Sequence, residues 1–237
     1  MTVLRAAAAA LAVLLASAPA LAQEEETPGI EAQDGGLFVS GEALILSDYR
    51  FRGISRSDED PALQGQITVS TPGGFYAGAR GTTMKDAPLG DVELDLYAGY
   101  SVPLGLASTV DVGVMYYWFP DGSGDTDYVE PYASLSHTLG PAEGTVGVKY
   151  APRQAALGDE DVLYAFAEVE GAIPLTPVTL SAGAGWQDAG AFGRYWNWSL
   201  GARYDFGPLE AGVRYVDTDL PLPGADAGLV LSLGFRF

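Results

Sequence analysis

The sequence predicts an all-β protein, a transmembrane up-and-down antiparallel β-barrel of about 12 strands. Three observations carry this. Apolar and polar residues alternate with period two, run after run. The connections between the runs are short and long by turns. The last ten residues, GLVLSLGFRF, end on an aromatic with an apolar residue at every second position before it.

Twelve runs alternate: 37–52, 62–70, 74–82, 92–102, 107–118, 127–138, 143–151, 161–172, 178–187, 194–205, 208–216 and 226–237. Most have the length of about ten residues that a tilted membrane-crossing strand needs. In the last run Leu229, Leu231, Leu233, Phe235 and Phe237 share one face. Val230, Ser232, Gly234 and Arg236 share the other. The run 92–102 places Leu94, Leu96, Ala98 and Tyr100 opposite Glu93, Asp95, Tyr97 and Ser101. No window has apolar residues at helical spacing between caps.

The connections TPGG (71–74), PLGL (103–106), LGPAEG (139–144), PLTP (174–177) and DFGP (205–208) are tight Pro/Gly turns. Longer, mostly acidic segments lie between them, at 53–61, 83–91, 119–127, 152–160, 188–193 and 217–225. Short turns at one end and long loops at the other are what a barrel between two compartments requires. Aromatic residues of the apolar face cluster near run ends, as in an interfacial girdle: Tyr49, Phe51, Phe75, Tyr100, Tyr116, Trp118, Trp186, Trp196, Trp198 and Tyr204. A soluble β-sandwich would show a similar stripe, but a chain ending inside an apolar strand would then expose an aggregation-prone edge. Closure against the first strand removes that edge. The terminal Phe237 also marks the strand expected to engage the barrel-insertion machinery.

Residues 1–22 have Arg5, an apolar run from Ala6 to Ala16 and a small-residue end at Ala20-Leu21-Ala22, which is a secretory signal peptide cleaved after Ala22. Residues 23–36 are polar and aperiodic, a disordered periplasmic lead-in, and the barrel takes 37–237. The expected location is the bacterial outer membrane, with lipids and lipopolysaccharide as surroundings. The net charge of −19 excludes nucleic acid as a partner. The absence of cysteine excludes disulfides, thiolate metal sites and a cysteine nucleophile.

The stretch SDYRFRGISRS (47–57), followed by PALQG (61–65) and GFYAGARGT (74–82), resembles the signature region of a bacterial outer-membrane family, the TorF-type porins, formerly a domain of unknown function (Gcw_chp). The resemblance is most specific over 47–82, and the strand rhythm extends it over the whole exported chain. It implies a pore-like barrel and names no substrate.

Alternation then assigns the lumen. The inward basic residues are Arg50, Arg52, Arg80, Arg203, Arg214 and Arg236, with Lys149 on the opposite side. The inward acids are Glu93, Asp95, Asp111, Glu130, Glu168 and Glu170, with Glu42, Asp48 and Glu210 on the arginine side. Two readings stay open. A basic wall facing an acidic wall filters solutes by charge. Mutual pairing would instead make the same residues a polar filling. Twelve strands lie between a filled eight-stranded barrel and an open sixteen-stranded porin. The expected function is therefore passive passage of small hydrophilic or charged solutes through a narrow conduit. A plugged structural or binding barrel is the alternative, with Tyr97, Tyr117, Tyr132, Tyr164 and Phe166 filling the bore. A lipid hydrolase would have to use the single histidine, His137, which alternation places on the lipid side, and no nucleophile-elbow pattern accompanies it. The chain is not expected to be an enzyme or to hold a cofactor. The loop DGSGDTD (121–127) spaces Asp121, Ser123, Asp125 and Asp127 like half of a calcium loop, but Tyr132 stands where the closing glutamate belongs, so no metal is expected.

Overall fold

The alternating runs form the wall of a closed barrel in the structure, a computed structural model that describes residues 30–32, 36–189 and 193–237. The predicted signal peptide and most of the lead-in lie outside the described residues. The wall strands are β1 (Leu37–Leu46), β2 (Ala62–Ser70), β3 (Phe75–Asp86), β4 (Gly90–Leu104), β5 (Ser108–Trp118) and β6 (Tyr128–Leu139). They continue as β7 (Ala142–Gln154), β8 (Glu160–Ala172), β9 (Val178–Ala189), β10 (Gly193–Phe206), β11 (Leu209–Thr218) and β12 (Gly228–Arg236). Each pairs antiparallel with its sequence neighbour, and β12 pairs with β1 to close the ring. A three-residue strand, Ile30–Ala32, pairs with the start of β1.

Closure is completed by the last residue. Phe237 and Gly41 exchange both backbone hydrogen bonds, at 2.8 and 3.0 Å. The aromatic ring lies where a side chain at residue 41 would begin, so only glycine lets the terminus dock there.

The outer surface is apolar. Leu229, Leu231, Leu233 and Phe235 are 43–66% exposed on β12 alone, and Ile45, Leu63, Leu96, Val146, Leu180 and Leu200 continue the band around the wall. So large an exposed apolar band has no place in water and matches a lipid-facing surface. Phe75, Trp118, Trp196 and Tyr204 join it as outward aromatics.

Inside, several aromatic rings lie flat on cross-strand glycines. Tyr76 covers its register partner Gly99, and Tyr132 covers Gly113. A β-carbon at either glycine would collide with the phenol. Glycine in a strand thus marks close approach, here of a ring to the wall.

One predicted strand is corrected. The run 37–52 is not a single wall strand: β1 stops at Leu46, and the next residues turn into the lumen. There Arg50–Phe51 pairs with Ile54–Ser55 as a small hairpin. Its two loop residues, Arg52 and Gly53, have φ of 50° and 92°. Positive φ at both positions is the mark of the I′ hairpin turn. Tyr49 and Phe51, expected in the lipid girdle, are inside the barrel instead, and Tyr49 is only 5% exposed. The reason is geometric: an inserted hairpin alternates with the same period as the wall, so the pattern runs on across the break.

The loop 83–91 is also shorter than expected. β3 and β4 extend to Asp86 and from Gly90, leaving three residues between them. Their outward residues there, Thr83, Lys85 and Asp91, are polar and exposed, so the apolar outer face that marks the lipid-crossing part is missing.

Candidate functional site

The lumen has two tiers. At the long-loop end the hairpin packs into a dry polar network. At the short-turn end the wall charges pair with one another and stay partly exposed.

The hairpin is fastened from several directions. Ser47 N–H bonds the Leu231 carbonyl of β12, and Lys85 N–H of β3 bonds the Arg56 carbonyl at 2.7 Å. Ser55 N–H bonds Gly224 O in the loop before β12. Arg50 donates to Asp48, its guanidinium 2.5 Å from that carboxylate, and to the Asp226 carbonyl in that same loop.

Two further arginines reach wall carboxylates. Arg52 Nη2 lies 2.6 Å from both oxygens of Glu130 on β6, while its Nη1 donates to Gln187 on β9 at 2.9 Å. Its guanidinium also lies over the Tyr164 ring at 4.2 Å. Arg56 donates to Glu93 on β4 at 2.5 Å and stacks over Phe51 at 3.9 Å. Tyr49 O–H donates to the other Glu93 oxygen at 2.8 Å. Glu93 and Glu130 are fully buried, so each depends on its arginine. Phe51 meets Tyr117 edge-on, and Tyr117 stacks on Tyr128.

These contacts set the charge states of the insert. Burial opposes the charge of Arg56, yet the Glu93 carboxylate holds it more firmly protonated than an ordinary arginine. Arg52 is raised in the same way, burial being overcome by Glu130. Burial, then Glu93, push the Tyr49 phenol well above its usual range.

Below the hairpin tip lies a cavity of about 310 Å³. Lys149, Glu168 and Arg214 line it from β7, β8 and β11, with Asn197 and Ser199 on β10. Among the described residues none of the three charged groups has an ion-pair partner within 4 Å. Glu168 and Arg214 remain exposed to the bore.

The other wall charges are paired. Arg80 on β3 holds Asp95 on β4 at 2.8 Å through Nε and 2.5 Å through Nη2. Near the short turns Arg203 contacts Glu170 and Asp205 at 3.0 and 3.1 Å. Arg236 there bridges Glu42 at 3.0 Å and Glu210. Asp111 accepts the Tyr76 phenol at 2.7 Å, and Tyr76 in turn meets the Tyr132 hydroxyl.

The alternation-derived residues do not form two facing walls. Arg50 and Arg52 come from the insert, and Arg80–Asp95, Arg52–Glu130, Arg203–Glu170 and Arg236–Glu42 pair opposite signs. Among the described residues of that set, Lys149, Glu168 and Arg214 stand apart, and Asp111 holds a phenol in place of a cation. Sequence reasoning placed Asp48 on the arginine side and passed over Arg56, Gln187 and Asn197. The available signal was RFRGIS: a glycine after one residue in an over-long run marks a two-residue turn.

Outside the lumen, His137 is exposed on the lipid side, with Nδ1 2.8 Å from Ser108 Oγ. Among the described residues no carboxylate is hydrogen-bonded to it. In the loop 119–127 Asp127 braces the chain by accepting from Phe119 N–H at 2.9 Å and Tyr116 O–H at 3.0 Å.

A closed antiparallel barrel of twelve wall strands with charges in its lumen has the architecture of a porin. A sequence profile of a bacterial family, described as proteins of unknown function (Gcw_chp), matches residues 31–227, and the chain belongs to that family. No curated protein sequence matches it. Among solved structures it is similar to the KdgM porin, at 7% identity and TM-score 0.60, over 84% of this chain and 98% of that one. It is also similar to the NanC porin, at 14% identity and TM-score 0.57, with the same coverage. The likeness is one of fold.

Proposed function

We propose that the protein is an exported outer-membrane channel for passive passage of small hydrophilic or charged solutes, of the TorF-type porin class that residues 47–82 resemble. One observation carries the reading. Inside a barrel with an apolar exterior, Glu168 and Arg214 keep exposed charged groups along the bore with no ion-pair partner among the described residues. A barrel built only as a scaffold gains nothing from charges left uncompensated there. The likeness of fold to the KdgM and NanC porins supports the same reading. The KdgM porin is also known in complex with disordered oligogalacturonate. The insert makes the passage narrow. Lipid and lipopolysaccharide surround the barrel, and Phe237 presents the final strand to the insertion machinery. Catalysis is no part of the reading, because the Ser108–His137 pair lacks an orienting acid.

Purified protein in planar bilayers should give discrete conductance steps, and liposomes carrying it should swell in small sugars. Flat traces together with unswollen liposomes overturn the channel.

The dry packing around Tyr117, Glu93 and Glu130 favours a second reading, a plugged binding barrel. Removing the hairpin separates the two. A channel already conducts and gains conductance, whereas a plugged barrel conducts only after the removal.

A further inference from the structure

We infer that the cavity beneath the hairpin tip is a binding site for a small hydroxylated monocarboxylate. The inference deepens the channel reading and rests on it only for the route of entry.

The polar groups around the cavity are mismatched in favour of donors. Lys149 and Arg214 project into it, and among the described residues neither has a carboxylate within ion-pair distance. Asn197 is 9% exposed. Its Oδ1 accepts the Tyr164 hydroxyl at 3.3 Å, which leaves Nδ2 as the free end of the amide. That Nδ2 is buried and has no hydrogen-bond partner. A buried donor left unpaired costs about 1–3 kcal/mol, so a ligand oxygen there recovers a real penalty. The wall charges elsewhere do not share this state, since Arg80, Arg203 and Arg236 all hold carboxylates.

The charge count selects the ligand class. Arg50, Arg52 and Arg80 also line the cavity but are held by Asp48, Glu130 and Asp95, which leaves two unpaired cations and one carboxylate, Glu168. The excess of one positive charge suits a monoanion. A dianion would oppose Glu168, and a cation would face Lys149 and Arg214. Carboxylate oxygens fit the guanidinium of Arg214 and the Asn197 amide. Glu168 is acceptor-only when ionised, so it fits hydroxyl groups at the far end of the same solute.

Size limits it further. A cavity of 310 Å³ holds about ten water volumes, near the lower limit for ligand sites. That suits a single hydroxy acid of about six carbons rather than an oligomer. The hairpin forms the roof. A side chain at Gly53 would overlap Thr218 and crowd the Asn197 β-carbon, so the tip packs against the base of that side chain.

The test is equilibrium dialysis of radiolabelled gluconate against folded protein in detergent, with glucose as the neutral control of similar size. Folding of every variant is checked by heat-modifiable gel migration. Gluconate should bind with Kd on the order of 1 mM, weak enough for passage, and glucose at least about tenfold more weakly. Arg214→Gln and Lys149→Gln should each weaken gluconate binding about tenfold. Glu168→Gln should tighten it, because it removes the one repelling charge. This last variant gains rather than loses, so misfolding cannot imitate it. Equal binding of glucose and gluconate, or gluconate binding unchanged in both cation variants, overturns the site. Because dialysis needs no transport, absent binding in a conducting protein rejects the site alone. Intact binding in a silent bilayer rejects the channel alone.

Discussion

Arg52 and Glu130 meet inside the barrel with one guanidinium nitrogen 2.6 Å from both carboxylate oxygens. One partner comes from a turn at φ 50°, the other from wall strand β6. A non-glycine residue at that φ is uncommon, and an I′ turn favours Asn, Asp or Gly there. The strain is held by the contacts of the side chain, because asparagine could make the turn but could not reach Glu130.

Arg52→Ala leaves a fully buried carboxylate without its counter-charge. The expected loss is about 3–5 kcal/mol of barrel stability. Glu130→Gln in the same chain should restore a large part of it. Thermal unfolding of the two single variants and the double variant measures the coupling, and additive losses would show that the pair is not a unit.

Shortening the insert tests what it occupies. Replacing residues 48–57 with a short Gly-Ser link removes Tyr49, Phe51 and three arginines from the bore. Single-channel conductance should rise severalfold, while strand content by circular dichroism stays the same.

Tyr49 links stability to alkaline pH. Its phenol is raised in the folded protein by burial and by Glu93. The stabilisation is complete below the unfolded phenol value of about 10 and is lost as pH climbs above it. Wild type should therefore lose stability more steeply above that pH than Tyr49→Phe. At neutral pH the variant should be about 1–3 kcal/mol less stable, because one oxygen of buried Glu93 loses its donor. Unfolding measured from neutral to strongly alkaline pH reads both effects.

Closure depends on Gly41 and Phe237. Gly41→Leu places a side chain where the terminal ring lies, and deletion of Phe237 removes two backbone bonds. Both should reduce the fraction of folded, heat-modifiable barrel recovered from membranes. Gly65→Ala, at a position with open space around it, should not.

Much of the wall was legible because a membrane imposes the pattern. Run 62–70 matches Ala62–Ser70, and run 161–172 matches Glu160–Ala172 to within a residue. The outward face was legible for the same reason along the last strand, where Leu229, Leu231, Leu233 and Phe235 are exposed, but not at Tyr49 and Phe51. Who meets whom across the bore was not. Arg80 and Asp95 face each other through a register set between β3 and β4, and no period reveals a register. The hairpin was hidden more deeply. Tyr49-Arg50-Phe51-Arg52 alternates as a wall strand would, and only the burial of Tyr49 shows that both of its faces are enclosed. Asn197 carried no signal, since its meaning lies in the donor that Tyr164 leaves free.

The split between a dry tier and a wet one gives the molecule electrical polarity. Glu93, Glu130 and Asp95 are sealed at one end, while Glu168 and Glu170 face water toward the other. An ion crossing such a bore meets its steepest climb near the long-loop mouth, whichever way it travels. If the barrel conducts as proposed, the two directions should be unequal under an applied voltage, and a wall of near-uniform hairpins should act as a rectifier.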